Sequence, residues 1–462
     1  MGTFSVVRMS QLEGALRLDA EYYKLEYLSL LNHLKKVGCV PVKNIAFPIK
    51  RKFRPQKGEY FDYIEISEVD LTTGEFNTSK IIGEEAPDRA QWVVNKDDIL
   101  VSMVRPIRNA VIIIRERKEN LVCSSGFAIL HSQDIQANYL FLYFKMPFIA
   151  RLLDRHTTAT EYPAVSWNDV LNIPIYSGSE EFQIGISSMV DKSFTLLKQS
   201  RSFYSQAENL LLEELGLKDF KPKYEKTYTA NLSDAFSAHR IDAEYFQPAF
   251  KEVEEYIIKN YSAKPIKKLN FVEVTTGQYS EKYVDKSEGM PYIRGTDLKN
   301  GTINTDNLVY ISPEDQIESK KAKEGDVVVT RVGTIGLAAR IPKECEGGTI
   351  SDNLIRLRFD QQKLNSYYLA LFLGSPLGVN LMIKNSRGSV QQRLNQETLK
   401  EVIVPLLPLS TQKEIASLVQ QSHEARRKAK ELLEAAKRAV EIAIEQREEN
   451  AMSFLKFFER VF

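Results

Sequence analysis

The chain contains nearly the same seven-residue pattern twice. The stretch Arg17–Tyr23 reads RLDAEYY, and the stretch Arg240–Phe246 reads RIDAEYF. Four further pairs of matching segments follow in the same order at nearly the same offset. The offset changes only slightly along the chain, as it would if loops had gained or lost a few residues. We therefore interpret the sequence as a tandem duplication of two units of about 230 residues each. The further matches are 70–74 with 297–301, 96–102 with 324–330, 173–175 with 404–406, and 183–193 with 412–422.

The two units share one predicted order of elements. Each begins with an amphipathic helix, continues with short β-like runs that end at Gly, Pro or Asn, and closes with a long helix. This order predicts an α+β fold with two β-rich domains in tandem, and 462 residues are too many for one ordinary core. The predicted segments are a first domain with its leading helix at 1–178, a central helix and linker at 179–232, a second domain with its leading helix at 233–408, and a C-terminal helix and tail at 409–462.

The two closing helices, predicted over Phe182–Leu215 and Thr411–Glu449, each carry a stripe of apolar or small residues at alternating steps of three and four. Such a period over several turns is typical of a coiled coil. The first stripe is bulky where the second is rich in alanine, which favours packing of one helix on the other. Packing of each helix on its own domain is the alternative. The stripes are Ile186, Met189, Ser193, Leu196, Ser200, Phe203, Ala207 and Leu210, and Ile415, Leu418, Ser422, Ala425, Ala429, Leu432, Ala436 and Ala439.

The charge and the cysteines limit the classes of function. A formal net charge of +1 gives no overall attraction to nucleic acid, so DNA binding requires local basic patches. Cys39, Cys123 and Cys345 are odd in number and far apart, which predicts free thiols in a reducing cytoplasm. No segment has the pattern of a leader peptide or a bilayer span, so we expect no membrane association.

The sequence lacks the usual catalytic signatures. It has no glycine-rich phosphate-binding motif, no HExxH, and no cluster of Cys or His with metal-ligand spacing. The string Pro313–Lys320 is similar to a nuclease motif because acidic residues precede Glu318-Ser319-Lys320, but the first unit has no counterpart. We therefore expect a protein that is not an enzyme and has no catalytic residue, metal or cofactor. A metal-dependent nuclease is the least favoured alternative.

Basic segments with polar neighbours are the candidate nucleic-acid contacts. One is the cluster at 50–57, and two others follow predicted strands, where a guanidinium can donate two hydrogen bonds to guanine O6 and N7. A last pair, 384–393 and 155–160, combines arginines with hydroxyl or amide groups. A turn that folding alone requires would also recur in both units. The predicted DNA contacts are Lys50, Arg51, Lys52, Arg54, Arg105, Arg108, Asn109, Thr158, Arg331, Thr334, Arg387, Ser389, Gln391 and Arg393.

The arrangement of these motifs resembles a known family, the specificity subunits of type I restriction-modification enzymes. The resemblance is carried by the Asp-Ala-Glu-Tyr opening of each unit, the strand and loop at 324–336, and the run from Gly388 through 404–409 to 412–415. It covers nearly the whole chain. It is stronger in the second unit, because 105–108 lacks the Gly-x-Ile-Gly loop found at 333–336.

This resemblance implies a pseudo-twofold, non-catalytic protein with two target recognition domains separated by two long antiparallel helices. In the family, each domain reads one half of a bipartite double-stranded DNA site. The helices set the spacing and dock two methyltransferase (modification) subunits, which recruit restriction subunits. Helices of about 30 residues are on the order of 45 Å long, which is comparable with a DNA turn of about 34–36 Å.

The alternative function is a duplicated, non-catalytic scaffold whose β-rich domains bind protein partners without reading DNA. The two hypotheses differ in what the assembled complex does with duplex DNA. Duplex binding that is lost in Arg331→Ala or Arg105→Ala, while the complex stays intact, supports the DNA reader.

Overall fold

The computed structural model describes residues 6–9, 17, 19–157, 162–218, 224–269, 272–388 and 393–461, with side chains described up to 458. Contacts divide the chain into two compact units. The first unit comprises the described residues up to Leu197 together with those from Arg427 onward, and the second unit comprises Lys198–Arg426. Both units combine helices with sheets, so the predicted α+β class is confirmed.

The first unit contains two four-stranded sheets. In one of them the central strand, Asp98–Ser102, pairs antiparallel with neighbours on both sides, and all five of its residues are buried. A continuous apolar run is what a strand covered on both faces requires. The strand order is Ala46–Pro48, Phe127–Ser132, Asp98–Ser102 and Val111–Ile113 in this sheet, and Ser79–Ile82, Tyr60–Ile64, Leu121–Ser124 and Ala90–Val93 in the other; Val40–Pro41 and Pro174–Ile175 form a separate pair.

The helices of the first unit cover the sheet that contains the central strand. Ala137–Phe144 is buried over six of its eight residues, so it is a core helix rather than an amphipathic one. It shares a hydrophobic core with residues of both long helices, including Phe182 and Ala436. The other helices wholly within this unit are Leu25–Lys36, Pro147–Arg155, Trp167–Leu171 and Glu448–Val461.

The second unit is built on a six-stranded sheet. Its central strand, Val327–Thr330, is buried at every residue and is antiparallel to both neighbours. The strand order is Val272–Thr276, Leu354–Phe359, Val327–Thr330, Ala338–Arg340, Gly301–Ile303 and Leu298–Lys299; a second sheet has the order Val309–Ile311, Met290–Ile293 and Thr349–Ile350, and Ala263–Pro265 pairs with Ile403–Pro405.

Two consecutive helices of the second unit, Ser366–Gly374 and Pro376–Asn385, supply much of its hydrophobic core. Among the residues that the structure describes, no single helix is long and apolar enough to cross a membrane. The helices Ser366–Gly374 and Pro376–Asn385, which are bent by 70° relative to each other, are together long and apolar enough by length and composition alone. The unit's remaining helices are Leu232–Ala238, Pro248–Asn260 and Gln396–Lys400.

The two long helices span Glu180–Glu214 and Leu409–Glu445. The prediction of one helix over Thr411–Glu449 is therefore wrong beyond Glu445. The long helix ends there, and a separate helix begins at Glu448. The predicted first stripe is also wrong in part. Leu197 and Leu211 are fully buried where Leu196 and Leu210 were expected. They follow the buried Ser193 and Ala207 by four residues rather than by three.

Candidate nucleic-acid interface

In the first unit, a loop with exposed side chains follows the central strand. Arg105 and Asn109 adopt left-handed backbone conformations, with φ of 48° and 59°, on either side of the short 3-10 helix Pro106–Arg108. The Arg105 amide donates to the carbonyl oxygen of Pro163 at 2.7 Å. Its guanidinium lies 5.8 Å from the ring centre of Tyr162, which is 69% exposed. The loop therefore presents a cation beside an aromatic ring, and Arg108 is exposed next to it.

Asn109 has an internal role. Its Nδ2 donates to the carbonyl oxygen of Lys145 at 2.9 Å, and Lys145 Nζ donates in return to the carbonyl oxygens of Asn109 and Leu71. Burial lowers the pKa of the Lys145 ammonium to about 7, with a further contribution from the charge of Lys437. This bond joins the loop to the end of the helix Ala137–Phe144, and the role of Asn109 as a DNA contact stays a prediction.

The equivalent loop of the second unit runs from Arg331 to Gly336. Thr330 Oγ1 donates to the carbonyl oxygen of Thr334 at 2.5 Å and accepts from the amide of Leu337 at 3.1 Å, which closes the loop across the strand end. Gly336 has a φ of +94°, and an added Cβ would lie 2.8 Å from Val379 Cγ2, so only glycine fits there.

Arg331 is held by its backbone and by one guanidinium bond. Its amide donates to the carbonyl oxygen of Asn353, and its Nη1 donates to that of Asp352 at 3.3 Å. Its Nε is buried and makes no hydrogen bond within the described structure. Thr334 is exposed at the tip of the loop. Arg331 and Thr334 thus form a polar surface at the strand end, and the guanidinium of Arg331 has N–H donors that make no hydrogen bond within the described structure.

The predicted basic cluster at 50–57 divides into two kinds of residue. Arg51 forms two hydrogen bonds, of 2.6 and 3.2 Å, to the fully buried carboxylate of Asp98, which also contacts His131 Nδ1 at 3.0 Å. Because a buried carboxylate requires a cation, this pair gives Arg51 a structural role, and its role as a DNA contact stays a prediction. Lys50, Lys52 and Arg54 are exposed, with Lys50 Nζ 5.2 Å from the ring centre of Trp167.

The second unit has the same buried carboxylate at the start of its central strand. Asp326 accepts hydrogen bonds of 2.6 and 2.9 Å from Arg358, and one from the amide of Lys323 at 2.8 Å. Asp98 likewise accepts from the amide of Asn95 at 2.7 Å. In each unit a carboxylate thus ties the turn before the strand to an arginine.

In the segment at 384–393, the backbones of Arg387 and Arg393 pair with each other through bonds of 2.9 and 2.7 Å, and both residues are exposed. Their pairing places two arginines side by side. The predicted contacts Thr158, Ser389 and Gln391 lie outside the described residues.

The repeated opening motif binds the end of a helix in each unit. Arg17 pairs with Asp19, and Arg240 pairs with Asp242. Each guanidinium also donates to carbonyl oxygens that follow or end a helix, where positive charge is favoured. The acceptors are His156 and Thr157 for Arg17, and Lys384, Asn385 and Ser386 for Arg240. The motif was recognisable in the sequence as a repeat, whereas its anchoring role was not.

The nuclease-like string Pro313–Lys320 forms two short 3-10 turns. The carbonyl oxygens of Ser319 and Lys321 accept hydrogen bonds from the buried guanidinium of Arg356. Over the described ranges, no group of three or more His, Cys, Asp or Glu side chains is arranged to hold a metal ion. Other bonds join Asp315 and Ile317 to the side chain of Gln278, and Gln316 to Gly347 and Thr349, so the contacts shown for this string hold the fold together.

Comparison with known proteins matches residues 267–435 to the family described as Type I restriction modification DNA specificity domain. The type I restriction enzyme EcoBI specificity subunit of Escherichia coli is 29% identical over 139 residues, which is 30% of this chain and 29% of that protein. The chain therefore aligns with less than a third of this relative's length.

Two solved structures are similar over most of their length. The HsdS subunit from Thermoanaerobacter tengcongensis is 18% identical, with 88% of this chain and 96% of that chain covered and a TM-score of 0.33. The type I restriction-modification S subunit from M. genitalium is 12% identical, with 88% and 94% covered and a TM-score of 0.40.

The matched domain contains the central strand of the second unit, the loop from Arg331 to Gly336 and the pair Arg387 and Arg393. It defines a class, the DNA specificity proteins of restriction-modification systems. Residues 267–435 thus match the DNA specificity domain of type I restriction-modification systems, the family that the sequence motifs resemble. Specificity subunits are the non-catalytic members of these enzymes, which agrees with the expectation that this chain is not itself an enzyme.

Proposed function

We propose that this chain reads a bipartite site in double-stranded DNA for a cytoplasmic type I restriction-modification complex. Each unit contacts one half of the site, and the long helices set the spacing and dock two methyltransferase subunits, which restriction subunits join. The observation that carries the proposal is the DNA specificity domain at 267–435, because it contains the polar strand-end loop from Arg331 to Gly336.

The idea of two readers is supported by hydrogen bonds that recur within the two units. Tyr139 donates to the carbonyl oxygen of Tyr176 in the first unit, as Tyr368 does to that of Pro405 in the second. The side-chain oxygens of Gln183 and Gln412 likewise each accept from the amide that precedes a core helix. These parallels favour a tandem duplication with target recognition domains at 1–178 and 233–408.

The spacer role is supported by contacts between the long helices. In the first unit, Ser193 Oγ donates to the carbonyl oxygen of Ala429 at 2.8 Å. In the second unit, Ser422 Oγ donates to the carbonyl oxygen of Ser200 at 2.7 Å. Small residues at these positions allow the close backbone approach that such bonds require. The order of the pairs favours an antiparallel arrangement of the helices at 179–232 and 409–462.

The proposed DNA contacts are the exposed or partly exposed candidates other than Arg51 and Asn109, whose side chains bond to Asp98 and to the Lys145 carbonyl oxygen. Arginine and threonine at strand ends can reach base edges, whereas lysines near a surface aromatic ring suit the phosphate backbone. Arg51 and Asn109 support these loops from inside. The proposed contacts are Lys50, Lys52, Arg54, Arg105, Arg108, Arg331, Thr334, Arg387 and Arg393.

The test uses the chain co-purified with its methyltransferase subunits and a set of duplexes of different base order. We expect preferential binding of one bipartite sequence, with Arg331→Ala and Arg105→Ala each weakening that binding roughly 5- to 100-fold if a bidentate contact is lost. The matched controls are the exposed Lys343→Ala and Arg117→Ala, which leave discrimination unchanged. An intact complex that binds all duplexes equally, or binds only proteins, supports the scaffold instead.

A further inference from the structure

A pocket of about 560 Å³ opens in the second unit beside the loop from Arg331 to Gly336. Its walls include Tyr279 and Tyr283, which are 65% and 50% exposed. Large exposed aromatic side chains around a concavity are typical of a binding site rather than of a core. Among the lining residues, Thr334 alone is a proposed DNA contact. The sequence pattern therefore did not predict this pocket.

The floor of this pocket is fixed by internal hydrogen bonds. Tyr292 is buried, and its hydroxyl donates to the carbonyl oxygen of Gln278 at 2.9 Å. Thr330 is buried too, and its hydroxyl is used within the loop, as described above. The shape of the floor is therefore preformed, and the groups that can hydrogen-bond a ligand lie at the rim of the pocket.

The polar groups that line the pocket include Asp352 and Asn353. Arg294 lines it too, but its guanidinium donates to the carboxylate of Asp297 and to the carbonyl oxygen of Asn307. The amide of Asp352 donates to the carbonyl oxygen of Gln278 at 3.0 Å, and the carbonyl oxygens of both rim residues accept from Arg331. The Asp352 carboxylate accepts one bond from Ser351 Oγ at 3.2 Å, which leaves most of its lone pairs for a ligand. The Asn353 side chain is exposed.

This chemistry selects the ligand class. A carboxylate at the rim repels phosphate, whereas it accepts a hydrogen bond from an exocyclic amino group of a base. The amide of an asparagine can bond both N6 and N7 of adenine. Tyrosine rings offer flat surfaces on which a base stacks.

We propose that this pocket is a base-reading site of the second unit and takes adenine or cytosine, the two bases with an exocyclic amino group on the major-groove edge, through Asp352 and Asn353. The proposal rests on the proposed function and names the part of one half-site that this pocket reads. The base is presented either as an edge within the duplex groove or turned out of the stack.

The test measures binding of the complex to duplexes in which each adenine or cytosine of the preferred site is replaced, one at a time, by an analogue without the amino group. For the wild type, one such replacement in one half-site weakens binding roughly 5- to 100-fold. For Asp352→Ala, that replacement has no further effect, because the acceptor is already absent. The control Glu346→Ala removes an exposed carboxylate outside the pocket lining and behaves like the wild type.

Tyr279→Ala is the second variant, since its ring is largely exposed and its removal leaves the fold intact. We expect it to weaken binding of the preferred duplex. A mismatch opposite the recognised base distinguishes the two ways in which the base can be presented. The mismatch tightens binding if the base turns out of the stack, and does not if its edge is read within the duplex.

The base-reading site is wrong if Asp352→Ala, folded and assembled, keeps the full loss at every amino-deleted position. That result leaves the proposed function standing, because the complex still prefers one sequence. A wild-type complex without any sequence preference overturns the proposed function itself.

Discussion

Arg240 Nη2 donates a 2.7 Å hydrogen bond to the carbonyl oxygen of Ser386, just after the helix Pro376–Asn385. The same guanidinium pairs with Asp242, and its side chain is 9% exposed. The sequence motif that occurs in both units therefore fastens the helix that leads to Arg387.

Arg240→Ala removes this fastening. We expect the second unit to lose about 2–3 kcal/mol of unfolding free energy, because partly buried carbonyl groups lose a charged donor. Hydrogen exchange of the peptide that covers Pro376–Asn385 measures the loss. Lys251→Ala, which breaks an exposed pair with Glu255, is the control and changes stability by less than about 0.5 kcal/mol. Equal protection in both variants contradicts the anchoring role.

The carboxylate of Asp326 supports two arginines, and the Arg356 side chain is only 1% exposed. Asp326→Asn leaves this buried cation undercompensated, so we expect a cost of about 3–5 kcal/mol. Asp98→Asn costs less, because its partner Arg51 is 35% exposed and regains water. Urea unfolding followed by hydrogen exchange in each unit compares the two. A larger loss for Asp98→Asn would overturn this ordering.

Lys145 makes the stability of the first unit depend on pH. Burial lowers its folded pKa to about 7, with Lys437 adding to the shift and Asp70 and Glu434 opposing it. Between about pH 7 and 10 the unfolded chain holds a proton that the folded chain has lost, so the unfolding free energy rises with pH. Relative to Lys145→Met, the wild type gains up to about 1.4 kcal/mol per pH unit in this range. Parallel pH profiles for the two proteins refute the assignment.

The three thiols differ in exposure, and all are deactivated by burial. Burial raises the pKa of Cys39 to about 11 and that of Cys345 to about 12, and it raises the pKa of Cys123 as well. At pH 8 an aromatic disulfide reagent should therefore label the native protein slowly, with the partly exposed Cys39 reacting first. Mass spectrometry of the labelled peptides checks the order, and rapid labelling of Cys123 or Cys345 would show that these strands open readily.

The repetitive parts of the fold were predictable from the sequence. The strands at Asp98–Ser102 and Val327–Thr330 follow from apolar runs bounded by turn residues, and the long helices follow from their period. The exact stripe was not predictable. Whether Leu196 or Leu197 lies in the core depends on the surface that the helix packs against, because both positions fit the same seven-residue repeat.

The site was predictable only as a set of candidates. Arg51 and Arg54 look equivalent in sequence, and only the buried Asp98 separates them. Tyr279 carries no charge or motif, so its place at the pocket depends on strands that pair far along the chain. Long-range pairing of this kind leaves no local signal.

The central claim is that two units read two parts of one duplex at a fixed separation. The most direct measurement is selection of duplexes from a random pool by the assembled complex, followed by sequencing. We predict two short conserved blocks separated by a constant number of unconserved base pairs, with Arg331→Ala degrading one block only. Selected duplexes with no shared sequence, or with a single uninterrupted block, would contradict this account.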